Sequence, residues 1–81
     1  MHCIYSIKNT VEEGWSPLEI AKNDTVMLRR FKTALSGDKV TYKSDFELYK
    51  LGDIDMETMQ IKAITPVKVG DWSSVADMGE E

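Results

Sequence analysis

The chain has 81 residues, 42% of them hydrophobic and 30% charged, which is room for one domain with a thin core and excludes wholesale disorder. Its single cysteine, Cys3, excludes an intrachain disulfide, and no apolar run approaches the roughly 18 residues of a membrane-spanning helix. Ten Lys and Arg against fourteen Asp and Glu give a net charge of −4, which argues against a sequence-blind condenser of nucleic acid, since that needs a positive excess to release counterions.

His2 to Lys8 is expected to form a strand, with Cys3, Tyr5 and Ile7 alternating with His2, Ile4, Ser6 and Lys8. The N-terminus has no basic flank leading into a long apolar stretch, so no secretory leader is expected. Asn9 to Pro17 is expected to be a connection, because Asn9, Gly14, Ser16 and Pro17 favour loops. Trp15 within it is either a plug at the edge of the core or an exposed binding group. Leu18 to Lys22 is either extended or a lead-in turn. Asn23 and Asp24 are both good N-cap residues, and Met27, Leu28, Phe31, Ala34 and Leu35 follow at helical spacing, so a helix is expected from about Asp24 to Leu35. Ser36-Gly37 would end it, with Gly37 in the left-handed conformation. Arg29, Arg30 and Thr33 then fall on the outer face, with Lys32 to one side.

Asp38 to Asp45 is expected to be a polar connection, within which Val40 and Tyr42 could form a short extended piece. Phe46 to Gly52 and Met59 to Ile64 are expected to pair as a hairpin across an acidic turn at Asp53 to Thr58. Thr65-Pro66 is expected to interrupt the second strand, leaving Val67 to Val69 as an edge segment. The predicted fold is therefore α+β, a small antiparallel sheet in β-α-β-β order with one helix on one face. The domain is expected to span residues 1–70, and residues 71–81 an acidic, flexible tail with Trp72 folded back. One helix cannot cover both faces of a sheet, and a second copy of the chain is expected on the sheet face or edge left open.

The sequence offers little for catalysis. His2 is the only histidine, so no zinc set and no Ser/His/Asp or Cys/His arrangement can be assembled. Gly14, Gly37 and Gly52 are isolated, so there is no phosphate-binding loop. Asp53, Asp55 and Glu57 alternate like a calcium loop, but Met56 and Met59 fall where oxygen ligands or glycine are needed, and the cluster is expected to be a hairpin turn. No enzyme activity, metal or cofactor is expected.

The charge is unevenly spread. From Lys22 to Lys50 seven basic residues face four acids, a local charge of +3, whereas from Leu51 to Glu81 two basic residues face seven acids, giving −5. The middle suits an anionic partner and the C-terminal third a protein.

Three segments together, Ala21-Lys22-Asn23-Asp24, Leu28-Arg29-Arg30-Phe31 and Asp45 to Thr58 (DFELYKLGDIDMET), resemble the small nonstructural protein of gokushovirus-type microviruses, which are single-stranded DNA phages. The resemblance covers roughly residues 1 to 69. Ile54 departs from the usual aromatic, and Met59 stands where a glycine commonly closes the turn. The resemblance implies a nonstructural, DNA-binding or replication-associated role in the host cytoplasm. A single-strand binder of this kind combines cations with aromatic platforms for bases. Arg29, Arg30, Lys32, Lys43, Lys50 and Tyr42 are the expected nucleic-acid-binding residues, with Lys39, Tyr49 and Trp15 as further candidates. Four cations on phosphates would give a log–log salt slope of about −3. The rival expectation is a protein-interaction module acting on host or phage replication proteins.

Overall fold

The computed structural model describes residues 1–37 and 40–76. Five strands form one antiparallel sheet: β1 (His2–Asn9), β2 (Gly14–Trp15), β3 (Glu19–Ala21), β4 (Phe46–Ile54) and β5 (Ile61–Asp71). The order is β2-β1-β4-β5, and β3 also pairs with β1. One edge of β1 is thus shared, β3 lying against Cys3–Tyr5 and β2 against Lys8–Asn9, while β4 runs along the other edge for the whole strand. The α+β class, the antiparallel sheet and the single main helix agree with the sequence reading. β2 is an addition, recruited from a stretch expected to be a connection, and β3 settles Leu18–Lys22 on the extended one of its two options.

The main helix, α1 (Asp24–Leu35), starts where the caps place it. Asn23 is the N-cap, its side chain accepting the Val26 N–H at 3.0 Å, which satisfies one of the donors left open in the first turn. The far end differs from expectation. Ser36 caps it in an ordinary right-handed conformation, and Gly37 has no positive φ, so the left-handed glycine stop is not used. Met27, Phe31 and Leu35 are buried, Leu28 is half-buried, and Ala34 is exposed. The buried stripe is therefore narrower than the sequence spacing suggests. It follows the i, i+4, i+8 line, the narrow stripe that one sheet face can cover.

The core forms between α1 and the sheet from Tyr5, Ala21, Met27, Phe31, Leu35, Leu48 and Val75. Tyr5 is fully buried and its hydroxyl donates to the Asp24 carboxylate. Burial first, then that hydrogen bond, pushes the phenol well above its ordinary ionisation range.

Among the described residues, the connection from α1 to β4 contains no strand. Val40 and Tyr42 precede a 3₁₀ turn at Lys43–Asp45. The β4–β5 turn is built on Asp55, whose side chain accepts the Glu57 N–H at 2.9 Å and whose carbonyl accepts the Met59 N–H at 2.6 Å. The acidic cluster is thus a turn, and Asp55 is occupied by backbone. Met59 has φ 61°, the left-handed region that costs an L-residue about 1–2 kcal/mol. Replacing Met59 by Gly should raise stability by about 1 kcal/mol, seen as a higher urea midpoint. A lower midpoint would show that the Met59 side chain contributes more than its backbone conformation costs.

β5 continues through Thr65-Pro66 rather than stopping there. The pairing runs from Lys50 opposite Val67 to Gly52 opposite Ala63, so Ile64, Thr65 and Pro66 bulge opposite Leu51. Pro66 is tolerated because β5 is an edge strand. Pro66, the bulges, Lys62 and Lys68 are the devices by which such an edge avoids pairing with other chains.

A tail is expected from Asp71, yet the fold extends to Ala76. A short helix, α2 (Trp72–Val75), buries Val75 completely and packs Trp72 against the core. Residues 77–81 lie outside the described residues. Asp71 is its N-cap, accepting the Ser74 N–H at 3.1 Å in a capping box with Ser74. Hydrogen bonds from Ser73, Lys68 and Ser74 hold the Asp71 carboxyl far below the usual carboxylate range. A depressed pKa contributes stability above the unfolded value and loses it as pH falls. Asp71→Ala should therefore cost about 1 kcal/mol near pH 7, and the gap between parent and variant should close as pH falls below about 4. A gap that is constant from pH 7 to pH 3 would refute the ionised cap.

Candidate functional site

Residues opposite one another on paired strands share a face of the sheet. Cys3, Tyr5, Ile7, Phe46 and Leu48 pack toward the helices. The opposite face carries no helix among the described residues. At one end of it lie two rows of side chains: Trp15–Lys8–Glu47–Asp71, and Ser6–Tyr49–Lys68.

Local chemistry positions Trp15 there. Asn9 Oδ1 accepts the Val11 and Glu12 N–H groups at 3.0 and 2.9 Å and turns the chain. Glu13 takes the left-handed conformation at φ 59°. Ser16 then fastens the returning strand to β1. Its hydroxyl accepts the Ile7 N–H at 2.9 Å, its N–H donates to the Ile7 carbonyl at 2.8 Å, and its carbonyl accepts the Ser6 hydroxyl at 2.8 Å. Trp15 meets Tyr49 edge to face, with centroids 5.4 Å apart at 70°, across the buried Ser6. Lys8 Nζ lies 5.6 Å from the Trp15 centroid. Trp15 remains 48% exposed. It is both options at once, packed on a neighbouring ring and open to solvent.

The rest of this end is a charge ladder. Tyr49 donates to Glu47 Oε1 at 2.9 Å, and Lys68 Nζ bridges Glu47 at 3.2 Å and Asp71 at 3.0 Å. The bond to Glu47 raises the Tyr49 ionisation range, and the two carboxylates raise that of Lys68. Lys8 has no carboxylate partner among the described residues.

The six residues expected to bind nucleic acid are not brought together here. Arg29 and Arg30 are exposed on the outside of α1, on the far side of the sheet from Trp15, and Arg30 donates to the Ile20 carbonyl at 3.0 Å. Lys32 is half-buried on the same helix. Lys43 donates to the Val40 carbonyl at 2.8 Å and lies 5.7 Å from the Trp72 ring centroid. Tyr42, next to it, is 71% exposed. Lys50 pairs across from Tyr5 on the helix side, 3.9 Å from Asp53. Its pKa is raised, first by the neighbouring Cys3 and then by Asp24 and Asp53. Lys39 lies outside the described residues. Among the described residues, no hydrogen bond, ion pair or ring contact joins any two of Arg29, Arg30, Lys43, Lys50 and Tyr42. Lys8 and Lys68 escaped the sequence reading because they flank the basic stretch. The signal that could have found Lys8 is its strand alternation with Ser6, which places it on the face away from Tyr5.

Beneath the β1–β2 hairpin runs an apolar groove of about 370 Å³, walled by Ile7, Leu35, Val40, Phe46 and the Gly14–Ser16 segment. No helix among the described residues is long and apolar enough to cross a membrane, and no cluster of three His, Cys, Asp or Glu among them is placed to hold a metal ion.

A protein-family model described as Phage ORF5 protein matches residues 2–75. Neither the curated proteins nor the solved structures contain a match to the chain.

Proposed function

The chain belongs to the phage ORF5 protein family, and from that premise we propose that it is a non-enzymatic phage nonstructural protein that binds single-stranded DNA on the helix-free face of its sheet during genome replication or packaging. The observation that carries the reading is the exposed Trp15 ring, edge to face with Tyr49 and beside the Lys8 ammonium. An aromatic on an open sheet face, next to a cation with no carboxylate partner, is the arrangement on which bases stack while a phosphate is neutralised. The resemblance to the small protein of gokushovirus-type microviruses supports the same direction.

The surface differs from the basic stretch that the sequence emphasises, and so does the expected salt response. With Lys68 held by Glu47 and Asp71 and Lys8 left to meet phosphate, the log–log salt slope should be about −0.7, one contact, rather than the −3 of four cations. Anisotropy of a labelled oligo(dT) at two salt concentrations measures it. Trp15→Ala should weaken binding by about tenfold, while Arg29→Glu with Arg30→Glu should leave it within about twofold, since both lie on the other side of the molecule. Failure to bind at low salt would overturn the reading, as would a Trp15→Ala protein that binds like the parent. Either result transfers the role to protein recognition, and a pull-down of host and phage replication proteins then becomes the informative experiment.

A further inference from the structure

The two carboxylates at the Trp15 end are not equivalent. Asp71 is saturated. Its Oδ1 accepts from the Ser73 hydroxyl at 2.7 Å and from the Ser74 N–H and hydroxyl at 3.1 Å each, and its Oδ2 meets Lys68 at 3.0 Å. Glu47 makes two polar contacts among the described residues, one on each oxygen. Oε1 accepts the Tyr49 hydroxyl at 2.9 Å, and Oε2 meets Lys68 at 3.2 Å. A carboxylate oxygen has two lone pairs, so each Glu47 oxygen keeps one free, and the side chain is 24% exposed. Register sets Glu47 directly opposite Lys8, which is itself opposite Trp15. Two strand spacings, about 10 Å, therefore separate the backbone at Trp15 from that at Glu47. Tyr49 spans part of that gap, with its ring against Trp15 and its hydroxyl on Glu47.

We infer that Glu47 makes this surface selective for guanine, an inference that rests on the single-stranded DNA reading. A base stacked on Trp15 presents its edge to the row beside it, where single-stranded bases are read by hydrogen bonds. An ionised carboxylate accepts hydrogen bonds and donates none. Guanine is the base whose Watson–Crick edge carries two adjacent donors, N1–H and N2–H, and these pair with the two oxygens of one carboxylate as a fork. Thymine offers one N–H between two carbonyls, whose oxygens repel the carboxylate. Cytosine and adenine each offer a single amine beside a ring-nitrogen acceptor. The span from Trp15 also favours a purine, whose second ring carries its edge further from the ring beneath. Tyr49 and Lys68 already orient the carboxylate, so little side-chain freedom is lost when a base arrives. Lys8 keeps its ammonium for phosphate.

Anisotropy of labelled hexanucleotides tests the inference, one all thymine and one with a single central guanine. The parent should bind the guanine hexamer about tenfold more tightly, the low end for a bidentate base contact. Replacing that guanine by hypoxanthine, which lacks only the N2 amine, should remove most of the advantage. Glu47→Gln, of the same shape, should bring the thymine and guanine hexamers to within about twofold of one another, with circular dichroism showing that the fold is retained. If that variant loses its fold, the hypoxanthine hexamer reads the same contact on the unaltered protein. Equal affinity of the parent for the thymine and guanine hexamers overturns the inference and leaves the DNA reading standing. A guanine preference that persists in folded Glu47→Gln, or that hypoxanthine reproduces, overturns it as well. Absence of binding to every hexamer at low salt overturns both.

Discussion

Phe31→Ala should lower the stability of this protein by about 3–5 kcal/mol, most of what a domain of this size possesses. Phe31 is completely buried, within the cluster that joins α1 to Tyr5, Ala21 and Leu48 of the sheet and to Val75 of α2. Truncation removes a ring from a cluster whose members come from five separate elements. They cannot all collapse inward, so a cavity term adds to the lost transfer energy. Thermal unfolding should show Tm falling by at least about 15 °C, at several degrees per kcal/mol. Ala34, one turn along but exposed, supplies the contrast, and Ala34→Gln should change stability by less than about 0.5 kcal/mol. A Phe31→Ala protein with unchanged Tm would mean that the helix is not packed as described.

Gly52→Val should cost about 3 kcal/mol and disturb the β4–β5 register, because there is no room for a side chain at this position. A Cβ on Gly52 would lie 2.5 Å from the Lys62 carbonyl oxygen and 3.2 Å from the Ala63 Cα. Both are backbone atoms, so rotating a side chain relieves nothing. The close approach arises where the β1–β4 and β4–β5 pairings both shift register. Amide spectra of Gly52→Val should therefore change along Leu51–Asp53 and Lys62–Pro66. Gly37 is the opposite case. A Cβ there would meet nothing within 4 Å, and its φ is not positive, so Gly37→Ala should be neutral or stabilising by a few tenths of a kcal/mol. A large loss at Gly37 and none at Gly52 would invert the account of both positions.

These two glycines mark the boundary between what was legible and what was not. Gly37 follows a helix in sequence and so invites a left-handed cap, yet Ser36 ends the helix without one. Gly52 sits inside an alternating strand and looks incidental until β5 is laid against it. The same contrast runs through the candidate site. Arg29, Arg30, Lys43 and Lys50 are near one another in the chain, but the helix turns the arginines outward, the 3₁₀ turn sets Lys43 against Trp72, and strand alternation points Lys50 toward Cys3 and Asp53. Lys8, Trp15, Tyr49 and Lys68 are scattered over sixty residues and share one surface.

The sequence by itself determined α1, because an N-cap and a 3.6-residue stripe are local signals that depend only on neighbours within a few turns. It also determined β4, the first part of β5 as far as Ile64, the acidic turn between them and the burial of Phe31. Only the tertiary structure decided the rest. β2 and β3 are too short to declare themselves and become strands because β1 offers an open edge. Pro66 is accommodated because β5 is the outermost strand, and Trp72–Val75 are held because the core leaves a gap that Val75 fills. Which ring meets which cation depends on register between strands that are far apart in the chain, and register is set by closing the whole sheet, a long-range condition that no local window of sequence contains.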